Sequence, residues 1–121
     1  MAAAVLLAAS PAVASPGWDF LYGTTFGPTD GGKYRSLKVG VSHGGNFATC
    51  LNTSDDDNLQ GYSLYEQDAS GNPDEHVGYQ TMAGDHCLYW YDIGKYVDGD
   101  NDRAEFYVVG SRFSESVLYF D

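Results

Sequence analysis

The stretch His86-Cys87-Leu88-Tyr89-Trp90-Tyr91-Asp92-Ile93 constrains this chain more than any other, because it holds one of only two cysteines and one of only two tryptophans. In an extended strand successive side chains alternate faces. Leu88, Trp90 and Asp92 then share one side, and Cys87, Tyr89, Tyr91 and Ile93 the other. Both sides carry large apolar groups, which predicts a central strand covered on both faces. From that strand Cys87 can reach back to Cys50. Two cysteines in an exported chain favour a disulfide over a metal site or a catalytic thiol. Pairing Cys50 with Cys87 encloses 37 residues, and the loop-entropy model gives roughly 3–4 kcal/mol for such a loop.

The expectation of export comes from residues 1–14. An apolar run from Ala2 to Ala9 leads to a small-x-small site, Ala12-Val13-Ala14, which is the pattern of a secretory signal peptide. The run is too short for a membrane span, which needs about 20 apolar residues. The mature protein is expected to start near Ser15, in an extracellular setting. The rest is long enough for one domain.

Charge narrows the partners. The formal net charge is −11, from 17 acidic and 6 basic residues, and three of the basic ones (Lys33, Arg35, Lys38) sit in one segment. Such a surface repels nucleic-acid backbones and anionic membranes. A larger secreted protein subunit, a cation or a glycan are the partners that fit.

Residues 15–32 hold five large apolar side chains, Trp18, Phe20, Leu21, Tyr22 and Phe26, boxed in by Gly and Pro. That punctuation excludes a helix. The segment is either the first strand of the domain or an aromatic arm that enters a groove on a partner protein. As an arm it would be dispensable for folding. Residues 33–121 form the body of the domain. In Lys33–Ser42, Leu37, Val39 and Val41 alternate with Tyr34, Ser36 and Lys38, which predicts a half-buried strand with the first set inward. A turn at 43–46 and a strand at 47–51 make residues 33–51 a hairpin. Further strands are expected at 62–66, at 77–81, at 105–109 and at 116–120, separated by turn residues. The fold class is all-β, a small antiparallel β-sandwich or barrel of seven to eight short strands with one disulfide.

No catalytic residues are expected. In Asp85-His86-Cys87 the imidazole and the sulfur point to opposite faces of a strand, and no Gly-x-Ser-x-Gly nucleophile elbow is present. A paired-carboxylate glycosidase needs a cleft that so short a chain has little material to build. No cofactor is expected apart from calcium, for which Asp98, Asp100 and Asp102 form an alternating carboxylate loop. The loop departs from the EF-hand pattern, with Arg103 at its sixth position and Val109 at its twelfth. Asn52-Thr53-Ser54 is a formal N-glycosylation sequon. Abundant Tyr and Trp also suit carbohydrate binding, with Tyr62, Tyr79 or the outward residues of 88–92 as the stacking rings.

The cleavage site Ala12-Val13-Ala14, the segment Ser15-Pro16-Gly17-Trp18-Asp19-Phe20-Leu21-Tyr22 and an acidic all-β body with two cysteines together resemble the small adaptor subunit of bacterial umbrella toxin particles. That resemblance implies a non-enzymatic connector between a lectin-bearing subunit and the large toxin-carrying subunit. It also implies that Trp18, Phe20, Leu21 and Tyr22 dock into a cleft on the lectin-bearing subunit. The first functional expectation is therefore a secreted protein-interaction module that acts as an adaptor through this arm. The alternatives are a hydrolase inhibitor presenting loops 54–58 and 69–74, and a carbohydrate-binding module.

Overall fold

The computed structural model describes residues 17–29, 31–52, 59–67, 74–97, 103–111 and 116–121. These residues form nine strands: β1 Phe20–Pro28, β2 Tyr34–Ser36, β3 Gly40–Ser42, β4 Phe47–Asn52, β5 Gln60–Glu66, β6 Glu75–Met82, β7 His86–Trp90, β8 Ala104–Gly110 and β9 Ser116–Phe120. One 3₁₀ turn, Ile93–Tyr96, follows β7. All ladders are antiparallel, in the order β6-β5-β8-β2-β1-β9-β4-β7, with β3 also paired to β8. The two ends of this path, β6 and β7, are neighbours in sequence and in space. The Gln80 amide of β6 donates to the Tyr89 carbonyl of β7 at 2.8 Å, and Trp90 packs against Gly78. The sheet thus curls into a nearly closed barrel, the expected all-β class with one disulfide.

The interior is aromatic. Phe47 sits with ring centroids 5.0 Å from Phe106 and 5.7 Å from Tyr119, and Tyr22 meets Tyr119 edge-on at 5.8 Å. Trp90 donates its indole N–H to Thr49 Oγ1 at 3.0 Å, which satisfies a buried polar group inside the barrel. On β5 the alternation is complete, with Gln60, Tyr62, Leu64 and Glu66 buried between half-buried residues. The Cys50–Cys87 bond lies on the outer face, joining directly opposed residues of β4 and β7. Trp18, Tyr89, Leu118 and Phe120 cover it.

Three expectations change. Residues 33–42 form two short strands, with the opposite face inward. Leu37 is 61% exposed, while Ser36, Gly40 and Ser42 are buried. The barrel has already been filled there by rings from other strands, so only small residues fit. A Cβ on Gly40 would stand 2.6 Å from ring atoms of both Phe47 and Tyr119. Ser36 Oγ accepts from the Val108 N–H at 3.0 Å and lies 2.8 Å from the Tyr119 hydroxyl. Second, residues 33–51 are not a hairpin: β3 pairs with β8, and β4 pairs with β7 and β9. Third, β7 is not central. It ends the ladder, with Leu88 and Trp90 buried on the inner face but Cys87 and Tyr89 only half-buried and Tyr91 exposed on the outer one, and Ile93 leaves the strand to be buried in the 3₁₀ turn.

Residues 20–28 form a strand. The first part of β1 pairs with β9 and its last three residues with β2, so β1 bridges the two halves of the barrel. Removing it would leave both neighbours with open edges. The dispensable arm gives way to this strand.

Candidate functional site

A trough of about 610 Å³ lies on the outer face of β2, β5, β6 and β8, within the usual size range of ligand pockets, about 300–1,000 Å³. Its construction follows from the sheet register. Tyr79 of β6 opposes Ser63 of β5, Ser63 opposes Val109 of β8, and Val109 opposes Arg35 of β2. Residues in one such row project to the same face. The row crosses three strand spacings of about 4.8 Å, hence about 14 Å, which exceeds the width of a single sugar ring.

The floor is made of small residues, Gly61, Ser63, Gly110 and Ser111. On it lies Tyr79, 63% exposed. The ring lies so low that a Cβ on Gly61 would meet its hydroxyl oxygen at 1.9 Å. Glycine at 61 is what lets the end of this ring come down onto the strand while the ring stays open to solvent.

The opposite wall carries cations. Lys33 and Arg35 both line the trough. The Arg35 guanidinium sits 3.8 Å from the centroid of Tyr107, and its Nε donates weakly to the Ser36 carbonyl at 3.4 Å. Tyr107 is in turn stacked on Tyr65, 5.5 Å between centroids and 14° between planes. The Tyr107 hydroxyl donates to Asp74 Oδ2 at 2.6 Å. Burial and that carboxylate push the Tyr107 phenol up to about 12, so it stays a neutral donor through the physiological range. The result is a rigid stack of Arg35, Tyr107 and Tyr65 at one end of the trough.

Ser63 Oγ and His76 Nε2 are 3.2 Å apart, a contact from which nucleophile–base pairs are built. Here Ser63 lies inside a continuous strand laddered on both sides. His76 packs edge-on against Tyr65 at 5.1 Å, which makes the pair a brace for the tyrosine stack.

The residues singled out in the sequence are dispersed. Tyr79 is in the trough. Tyr62 is fully buried, its hydroxyl donating to Gln60 Oε1 at 3.0 Å, so it cannot stack on a ligand. Of the arm residues, Phe26 is core and Leu21 and Tyr22 pack against it. Trp18 and Phe20 lie on the far side of the barrel, against Tyr89 at 5.4 Å and Phe120 at 5.5 Å. Asp98, Asp100, Asp102, the signal segment 1–14, loop 54–58 and residues 69–73 lie outside the described residues. Among the described residues no group of three or more His, Cys, Asp or Glu could hold a metal ion. Sequence reasoning missed Lys33, Arg35, Gly61, Ser63, Tyr65 and Tyr107. The available signals were the clustering of basic residues at 33–38 and the Gly61-x-Ser63-x-Tyr65 alternation, but only the β2–β8–β5 pairing brings them together.

A family model described as "YndA coiled coil domain" matches residues 10–120. This chain belongs to that family. The described residues hold strands and one 3₁₀ turn, so the coiled coil of the description has no counterpart among them. A Bacillus subtilis (strain 168) protein described as "Uncharacterized protein YndA" is 40% identical over 89 residues, which cover 73% of this chain and 66% of that protein. The chain therefore matches slightly less than two thirds of that relative's length. Neither match is to an umbrella-toxin adaptor. No solved structure matches the chain significantly.

Proposed function

We propose that this chain is an exported, non-catalytic carbohydrate-binding module whose site is the trough on β2, β5, β6 and β8. The observation that carries the reading is the exposed ring of Tyr79, whose hydroxyl end lies directly over Gly61. An exposed tyrosine ring held against the sheet presents a stacking surface for the apolar side of a sugar ring, at little cost in side-chain entropy. Ser63 and Ser111 on the floor supply hydroxyl partners for sugar hydroxyls. The disulfide supports an oxidising, extracellular setting. A glycan array probed with the full chain and with Tyr79→Ala tests the proposal. Binding by the wild type that the variant loses supports it, and an empty array contradicts it.

A second reading has its own observation. Phe20 and Tyr91 are 58% and 66% exposed on the cystine side of the barrel, beside Trp18 and Tyr89. This aromatic surface suits contact with a larger secreted protein subunit. It retains the adaptor role for Trp18 and Phe20 alone, since Tyr22 and Phe26 are packed in the barrel. Cross-linking through a photoreactive residue at position 20 would test it, with recovery of one defined partner expected and no adduct contradicting it.

A further inference from the structure

We infer that the trough selects glycans bearing an anionic group, a carboxylate or a phosphate, over their neutral counterparts. This rests on the carbohydrate-binding reading and adds the ligand's charge to it. The chain carries only six basic residues against 17 acidic ones, yet two of the six, Lys33 and Arg35, line the same wall of one trough. Among the described residues the Lys33 ammonium and the Arg35 Nη groups have no carboxylate partner. Elsewhere on an acidic protein such cations would be drawn to neighbouring carboxylates; beside this wall Asp74 accepts from the Tyr107 hydroxyl.

Arg35 is also prepared for the task. Stacking on Tyr107, itself stacked on Tyr65, holds the guanidinium plane fixed. A fixed guanidinium fork matches carboxylate and phosphate oxygens bidentately and loses less freedom on binding than a free side chain. Tyr79 lies at the other end of the row, three strands away. The site therefore asks for a ligand that stacks a ring at one end and presents an anion at the other, a distance that an oligosaccharide spans. The overall negative charge does not prevent this, because repulsion from charges beyond about 10 Å is largely screened at 0.1 M salt.

The test compares three probes by calorimetry with the full chain: an oligogalacturonate, its fully methyl-esterified form, and a phosphorylated oligomannose. The esterified probe keeps the rings and removes the charge. The acid is expected to bind about tenfold more tightly than its ester, the order of one charge-assisted hydrogen bond. Lys33→Gln combined with Arg35→Gln should close that gap. Lys33→Gln alone, at an exposed position, should narrow it without any risk to the fold. Tighter binding of the phosphorylated probe than of either uronate supports the inference and assigns phosphate as the anion. Equal affinity for acid and ester overturns the inference and leaves the carbohydrate reading standing. No binding of any probe, together with an empty glycan array, overturns both.

Discussion

Tyr79 rests on Gly61 with no room for a single carbon between them: a Cβ at position 61 would lie 1.9 Å from the tyrosine hydroxyl. Gly61 has no left-handed backbone to explain its presence, so the glycine serves the ring. Gly61→Ala must lift Tyr79 off the sheet. The clash is with the end of a flexible, exposed side chain, so stability should change by less than about 0.5 kcal/mol, while glycan affinity falls. Paired denaturant melts and binding titrations of the variant check both halves.

A contrasting glycine is Gly40. A Cβ there would meet the rings of Phe47 and Tyr119 at 2.6 Å, in the packed interior. Gly40→Ala should therefore destabilise the barrel by at least the 1–3 kcal/mol typical of overpacking, about 2 kcal/mol as a central value. Urea denaturation midpoints measure this directly.

Ser36 is a second internal keystone. Ser36→Ala removes the acceptor of the buried Val108 N–H and the hydroxyl beside Tyr119. Leaving a buried donor unsatisfied costs about 1–3 kcal/mol. Tyr119 keeps the Lys38 carbonyl at 2.6 Å as a partner, so the loss should fall in the lower half of that range. Chemical denaturation of Ser36→Ala against Ser36→Gly, which differ in cavity size but share the lost hydroxyl, checks the attribution.

What the sequence disclosed, and what it hid, follows from where each residue's partners lie. Tyr62, Leu64 and Glu66 share an inward face as their alternation suggests, because β5 is flanked on both sides and its register must bury one set. The Cys50–Cys87 bond was legible from cysteine count and the expected compartment. The inward turn of Ser36 and Ser42 was not, since apolar patterning favours Leu37 and Val39, and the space is decided by Tyr119 and Phe47 from strands distant in sequence. Trp18 to Phe26 read as either a first strand or an arm because Gly and Pro frame the segment, and the pairing of Phe20–Pro28 with both β2 and β9 makes that part a structural bridge. The trough was hidden for the same reason: Tyr79, Ser63, Val109 and Arg35 are aligned only by the order of strands.

Alkaline pH should weaken the fold. Tyr107 is raised to about 12, by burial first and by its hydrogen bond to Asp74 next, and burial also raises Tyr119. In the unfolded chain these phenols ionise near 10. Between about pH 10 and pH 12 the unfolded state thus holds fewer protons than the folded one, and stability falls as pH rises. The stabilisation is fully present below pH 10 and lost by about pH 12. Urea midpoints measured across that window should decline, and Tyr107→Phe should show a shallower decline than the wild type.

Reducing the Cys50–Cys87 bond, or replacing both cysteines by alanine, should lower stability by roughly 3–4 kcal/mol, from the 37-residue loop it closes. Because the cystine is covered by Trp18, Tyr89, Leu118 and Phe120, reductant should act slowly on the folded protein. Thiol release followed over time in native buffer and in urea separates the two conditions, and a fast reaction in both would contradict the covered placement.

The most direct measurement is backbone amide shift mapping of the isotope-labelled full chain during titration with a glycan that it binds. Carbohydrate capture by the trough requires the largest shifts at Gly61, Ser63, Tyr79, Val109 and Ser111, with the far-side residues Phe20, Tyr89 and Tyr91 unmoved. Shifts confined to Phe20, Tyr89 and Tyr91, with the trough silent, would contradict it.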